Sequence, residues 1–213
     1  MKNKKTGYYD FPEKFEDLLI ENGAVDQAFH LKDLKQRKLF LNTNIEEFTI
    51  HDIVKHILQY NKEDKDIPIA ERKPILLYIA SHGGEIDAGL ELVDAICCSQ
   101  TPVYTINLGY QYSMGFYIGL AGHKRYAMPT AKYLLHDGAA YVYDSSTKLQ
   151  DRMAFEARLD ARFRDFVLSR SIVTKEELEN NARKEWYLFA DEAKDRGFVD
   201  YIIGVDCDIS EIV

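Results

Sequence analysis

Between residues 74 and 121 an apolar run gives way to a helix-periodic stretch, and the sequence does this twice; that alternation most narrows the folds open to the chain. Pro74-Ile75-Leu76-Leu77-Tyr78-Ile79-Ala80 is a buried-strand pattern, closed by Ser81-His82-Gly83-Gly84, and Ile86, Leu90, Val93 and Ile96 then share one helical face. Val103-Tyr104-Thr105-Ile106 repeats the strand pattern and leads through Gly109-Tyr110-Gln111-Tyr112-Ser113-Met114-Gly115 into an apolar, small-residue helix from Phe116 to Ala121. Alternating β and α units imply parallel strands joined by right-handed crossovers. The expected class is therefore α/β.

Two of these junctions, and one further on, carry chemistry. A serine at a strand-to-helix turn presents its hydroxyl at the mouth of a sheet beside backbone N–H groups, as a nucleophile requires; Ser113 holds that place. A strand ending in two glycines lets backbone approach a ligand and aims unpaired N–H groups at it, which suits a developing oxyanion; Gly83 and Gly84 hold that one. Ala131 to Leu135 reads as a short strand ending in His136, 23 residues after Ser113 and in the next β-unit, so serine and imidazole are expected to face each other across neighbouring strand ends. Taken singly, each segment reads first as a tight turn or a structural histidine.

In order and approximate spacing, the segments resemble the Clp protease proteolytic subunit family. The matching stretches are Leu77 to Gly84, Tyr112-Ser113-Met114-Gly115, Lys124 to His136, and Leu188 to Ile203 with Ala190-Asp191-Glu192-Ala193 and Gly197-Phe198-Val199-Asp200. The resemblance implies a crotonase-like superhelix of repeated β-β-α units with a protruding handle helix. It implies a divergent segment over 1–33 and one protease domain over 34–213, with the handle at about 141–171. It also implies a serine endopeptidase in which Ser113 is nucleophile and His136 general base, with the N–H groups of Gly84 and Met114 as oxyanion hole. The family's third triad member is an aspartate; here Glu185 stands in its place, one methylene longer, with Asp137 as the competitor. Asp137 ranks second because it adjoins His136, and successive strand side chains point to opposite faces. Stacked heptameric rings and an ATP-driven AAA+ unfoldase are the implied partners, unfolded proteins or peptides the implied substrates. The stretch after the base, Tyr141 to Ser146, departs from the family's glycine-rich one. That leaves a non-catalytic or regulatory subunit as the alternative, with an acyl-CoA enzyme of the crotonase fold and a membrane-associated signal-peptide peptidase behind it.

Composition bounds these readings. A formal charge of −8 over 213 residues disfavours a nucleic-acid partner, which would want a basic face. No apolar stretch reaches the roughly 18 residues of a membrane span, and no zinc-type Cys/His spacing or phosphate-binding glycine loop occurs, so no cofactor is expected and any ATP dependence belongs to a partner. Three cysteines, Cys97, Cys98 and Cys207, form no disulfide framework; a cytoplasmic setting is expected, with Cys97 and Cys98 packed as small apolar residues. Further elements are expected from about Pro12 to Leu19 (helix), Arg37 to Leu41 (strand), Glu46 to Tyr60 (helix), 61–73 (loop) and Thr147 to Ser171 (helix). Another helix starts with Thr174 as N-cap and Glu177 completing a capping box.

Overall fold

The structure, a computed structural model, describes residues 9, 13–136, 146–181 and 184–213. The chain opens with helices α1 (Glu13–Glu21) and α2 (Val25–Lys35). Strand β1 (Lys38–Leu41) follows, then α3 (Glu47–Glu63), β2 (Ile75–Ser81), α4 (Ile86–Cys98), β3 (Val103–Tyr112) and α5 (Met114–Leu120). Next come β4 (Lys124–Ala127), β5 (Lys132–Leu135), α6 (Ser146–Ser169), α7 (Lys175–Asn181), β6 (Trp186–Phe189), α8 (Ala190–Asp195) and β7 (Tyr201–Ile202). The expected α/β class with parallel strands holds: β1, β2, β3, β4 and β7 are parallel neighbours in that order.

β2 shows why its sequence is an unbroken apolar run. Ile75, Leu77 and Ile79 face one core with α3 and α4, whereas Leu76 and Tyr78 face a second with Ile106, Tyr126 and Ile212. A strand buried on both faces has no polar side to alternate with. The Tyr78 hydroxyl ends on the carbonyl of Ile212, so the polar tip of that aromatic is satisfied.

β3 is longer than expected, and its length organises the site. Its first half pairs with β4 (Tyr104 to Asn107) and its second half with β5 (Tyr110 to Tyr112), on one edge. The chain leaves the edge at Ala127 and returns five residues later, so the sheet splits at Asn107. The fully buried Asn107 side chain bridges the split, donating to the Lys132 carbonyl (3.0 Å) and accepting from Gly109 N–H (2.9 Å). Groups that the interrupted ladder would orphan are thereby paired.

α3 continues to Glu63, into the stretch expected as loop, and its end is held by a buried ion pair. Arg37 donates two bonds to Asp64, at 2.5 and 2.6 Å, and Thr101 Oγ1 donates a third at 2.9 Å. The Asp64 side chain is 2% exposed. Burial pushes its carboxyl pKa up, but hydrogen bonds from Arg37 and Thr101 and the charge of Arg37 overcome this and leave it below the ordinary value. Because the folded carboxyl titrates below the unfolded one, its stabilisation is complete above the unfolded pKa of about 3.9. It is lost as pH falls through the folded value. Asp64→Ala strands the Arg37 guanidinium and is expected to cost about 3–5 kcal/mol in urea unfolding at pH 7. That penalty should shrink in strongly acidic buffer, and a loss under about 1 kcal/mol would show the pair to be idle.

At the C-terminal side, Thr174 Oγ1 accepts the N–H of Glu177 (3.1 Å), one arm of the expected capping box. The Glu177 carboxylate turns instead to Arg196 Nε at 2.9 Å. Cys98 is exposed, contrary to its expected packing, while Cys97 and Cys207 are half-buried. On α6, Phe163 and Phe166 pack on the core, whereas Phe155 is 54% exposed. Pro12 and the 141–145 part of the expected handle lie outside the described residues. Among the described residues no helix is long and apolar enough to cross a membrane.

Candidate active site

The site is built where β2, β3 and β5 end side by side. β2 ends at Ser81, whose hydroxyl donates to the Thr43 carbonyl (2.6 Å) and accepts Gly83 N–H (3.2 Å). Past it, the connector before α3 is zipped to the glycine pair: Ile45 N–H donates to Gly83 O and Glu85 N–H to Ile45 O, each at 2.9 Å. In a parallel bridge of this kind the residue between the bonded groups, Gly84, turns its own N–H to the opposite side. A side chain at Gly84 would come within 2.3 Å of the Ile45 carbonyl oxygen, and its φ of +150° is glycine territory.

The two turns touch. A Cβ added to Gly83 would lie 2.8 Å from Ser113 Cβ and 3.1 Å from Met114 N. The first N–H groups of a helix have no intrahelical acceptor, so Met114 N–H, at the first position of α5 and next to Ser113, has no partner within its own helix. Ser113 has φ 53° and ψ −125°, a left-handed conformation that an L-residue adopts at a cost of about 1–3 kcal/mol. A sharp strand-to-helix turn of this kind is also the geometry that, in a nucleophile elbow, thrusts a hydroxyl outward. Ser113 is half-buried.

His136 directly follows β5 and is half-buried. Ser113 N–H donates to the Leu134 carbonyl at 2.9 Å, which ties the elbow to the strand that ends at the histidine. Glu185 directly precedes β6. β5 and β6 are antiparallel, with Leu134 opposite Tyr187 and Leu135 opposite Trp186. The pairing ends there, and His136 and Glu185 are the next residues beyond that last pair, one at the end of each strand. The structure thus brings Ser113, His136, Glu185, Gly84 and Met114 to one corner of the sheet. Among the described residues no hydrogen bond joins Ser113 to His136 or His136 to Glu185. The exposed Glu185 carboxylate instead accepts from the Tyr187 hydroxyl at 2.8 Å. Asp137, the competitor, lies outside the described residues.

An aromatic wall that the sequence reading did not assign stands beside this corner. His82 stacks on Tyr110 (ring centroids 4.5 Å apart), Tyr110 and Tyr112 lie 5.6 Å apart, and Tyr112 meets the edge of Tyr187 at 6.0 Å. The signal was present in the i, i+2 spacing of Tyr110 and Tyr112, which puts both rings on one face of an extended chain. An expected strand that ends at Ile106 leaves that spacing without an extended chain to act on. No group of three His, Cys, Asp or Glu side chains placed to hold a metal occurs among the described residues.

With this geometry in hand, comparison with known proteins is specific. The family model described as "Clp protease" matches residues 23–206. The ATP-dependent Clp protease proteolytic subunit 1 of Frankia casuarinae is 29% identical over 183 residues, which span 84% of this chain and 81% of that protein. Among solved structures, a ClpP1 mutant from Listeria monocytogenes superposes with a TM-score of 0.70 at 24% identity, over 81% of this chain and 94% of the other; at that identity the likeness speaks for the fold.

Proposed function

The chain belongs to the Clp protease family, and from that premise we propose that it is a serine endopeptidase whose triad is Ser113, His136 and Glu185. The observation that carries the reading is the strained Ser113 turn, seated against Gly83 and bonded through its own N–H to the strand that ends at His136. In this reading His136 takes the Ser113 proton as the hydroxyl attacks a peptide carbonyl. The oxyanion is met by the N–H groups of Gly84 and Met114. His136 then protonates the leaving amine, and water repeats the cycle on the acyl-enzyme. Hydrogen bonds of this kind are often long or unformed in a free enzyme and close around substrate. That accounts for the absence, among the described residues, of a hydrogen bond from Ser113 to His136 or from His136 to Glu185.

By the same family premise, the protein assembles with copies of itself into a chamber of stacked rings, α6 serving as the handle that meets the opposite ring. It works in the cytoplasm on peptides or unfolded proteins, delivered by an ATP-driven unfoldase. Labelling with a fluorophosphonate probe tests the chemistry: the parent protein should be modified at Ser113, and an unlabelled parent that forms native-mass rings would identify a non-catalytic subunit.

Glu185→Gln tests the acid. Without a carboxylate to hold the imidazole tautomer and stabilise the imidazolium, kcat should fall by about 10⁴-fold. If Asp137→Asn produces that loss and Glu185→Gln does not, the acid is Asp137.

A further inference from the structure

We propose that Tyr187 is the positioning residue for the triad acid: its hydroxyl pins one carboxylate oxygen of Glu185 and leaves the other to His136. This rests on the triad reading above and adds to it a group that touches neither substrate nor reacting atoms. Glutamate in place of aspartate brings an extra rotatable bond, and at an exposed strand end nothing in the backbone restrains it. The Tyr187 hydroxyl supplies the restraint, donating to Oε2 of Glu185 at 2.8 Å. Among the described residues this is the sole hydrogen bond to that carboxylate, so Oε1 stays available.

The restraint is itself anchored. Residues 185 and 187 are two apart on an extended chain and therefore share a face. The Tyr187 ring stands edge-on to Tyr112, with centroids 6.0 Å apart and planes at 89°, and Tyr112 immediately precedes Ser113. Across the antiparallel pair, Tyr187 lies opposite Leu134, the next pair is Trp186 with Leu135, and Glu185 and His136 directly follow at the ends of the two strands. The phenol is thus fixed to the nucleophile's own strand, and it passes that position to the acid. Its hydrogen bond to the carboxylate raises the Tyr187 pKa above the ordinary phenol range, so the hydroxyl remains a donor throughout neutral and mildly alkaline pH.

Tyr187→Phe keeps the ring and its contact with Tyr112 and removes the hydroxyl alone. In the full-length assembly it should lower kcat by about tenfold, the usual reach of one hydrogen bond to a charged group, with KM unchanged. The acidic limb of the kcat/KM profile should move to lower pH, because a carboxylate held less well stabilises the imidazolium less. In a Glu185→Ala background the same tyrosine change should have no further effect on kcat or on the limb, a coupling that a purely structural role would not produce. A loss that persists undiminished in Glu185→Ala, an unchanged Tyr187→Phe enzyme, or a faster one (the hydroxyl then holding the acid away from His136) would each overturn the assignment. All three are read in a parent whose Ser113 is labelled and whose hydrolysis depends on it. A parent without that labelling would bring down the triad reading and this inference together.

Discussion

Ser113→Ala is expected to lower peptide hydrolysis by about 10⁶-fold, the scale on which a triad fails as a unit when its nucleophile is removed. Fluorophosphonate labelling should vanish with it, while native mass and urea midpoint stay close to the parent's. The stability half of this expectation follows from the backbone. Alanine meets the same left-handed penalty at φ 53° as serine does, so the exchange neither adds strain nor relieves it. Ser113→Gly makes the contrast. It removes the same hydroxyl but has no Cβ to object to that conformation, so the inactive protein should be more stable than the parent by up to about 1–2 kcal/mol. Undiminished hydrolysis in the alanine variant would remove Ser113 from the chemistry. A glycine variant no more stable than the alanine one would mean that the turn stores no strain.

Gly84→Ala is expected to lose both catalysis and stability, for one steric reason. The new methyl would sit 2.3 Å from Ile45 O, 2.9 Å from Ile45 N and 3.0 Å from Ile45 C, all backbone atoms that cannot rotate out of the way. Relief requires opening the bridge between residues 45 and 84, with a cost of about 1–3 kcal/mol from overpacking. The N–H of residue 84 moves with it. If that group is an oxyanion donor, kcat should drop by about 10²–10³-fold beyond any loss of folded protein. Gly109→Ala is the control: a methyl there meets nothing within 4 Å and φ is unremarkable, so rate and midpoint should barely change. Equal behaviour of the two variants would take the glycine pair out of the site.

Much of the fold was legible because two physical patterns are local. The apolar run before Gly83 had to be a strand buried on both faces, and β2 is one. The helix faces starting at Ile86 and Phe116 had to pack back on the sheet, and α4 and α5 do. Ser113 stood out because a strand ran into a helix there without a linker. The fold is not legible locally where pairing partners, rather than composition, decide the backbone. Gly109 to Tyr112 carries a glycine and a polar residue and reads as turn. It is strand because β5 pairs with it and because Asn107 reaches across the split in the edge. The charged stretch after Tyr60 reads as loop, but its first turn is helical and is closed by Arg37, which is distant in sequence and bonded to Asp64. The aromatic wall went unassigned for the same reason: its rings come from separate segments at residues 82, 110, 112 and 187.

Residue order alone was enough to specify the parallel α/β layering, the strand-to-helix turn at Ser113 and the glycine pair, since strand burial, helical periodicity and glycine's backbone freedom act over a few neighbouring residues. Only the folded chain decided that the N–H of Ser113 is tied to the Leu134 carbonyl, that β5 and β6 pair so that His136 and Glu185 flank the same last pair, and that the Tyr187 ring meets Tyr112. Those outcomes depend on strand register and on contacts between segments up to dozens of residues apart, and no local pattern encodes a register until the partner strand is in place.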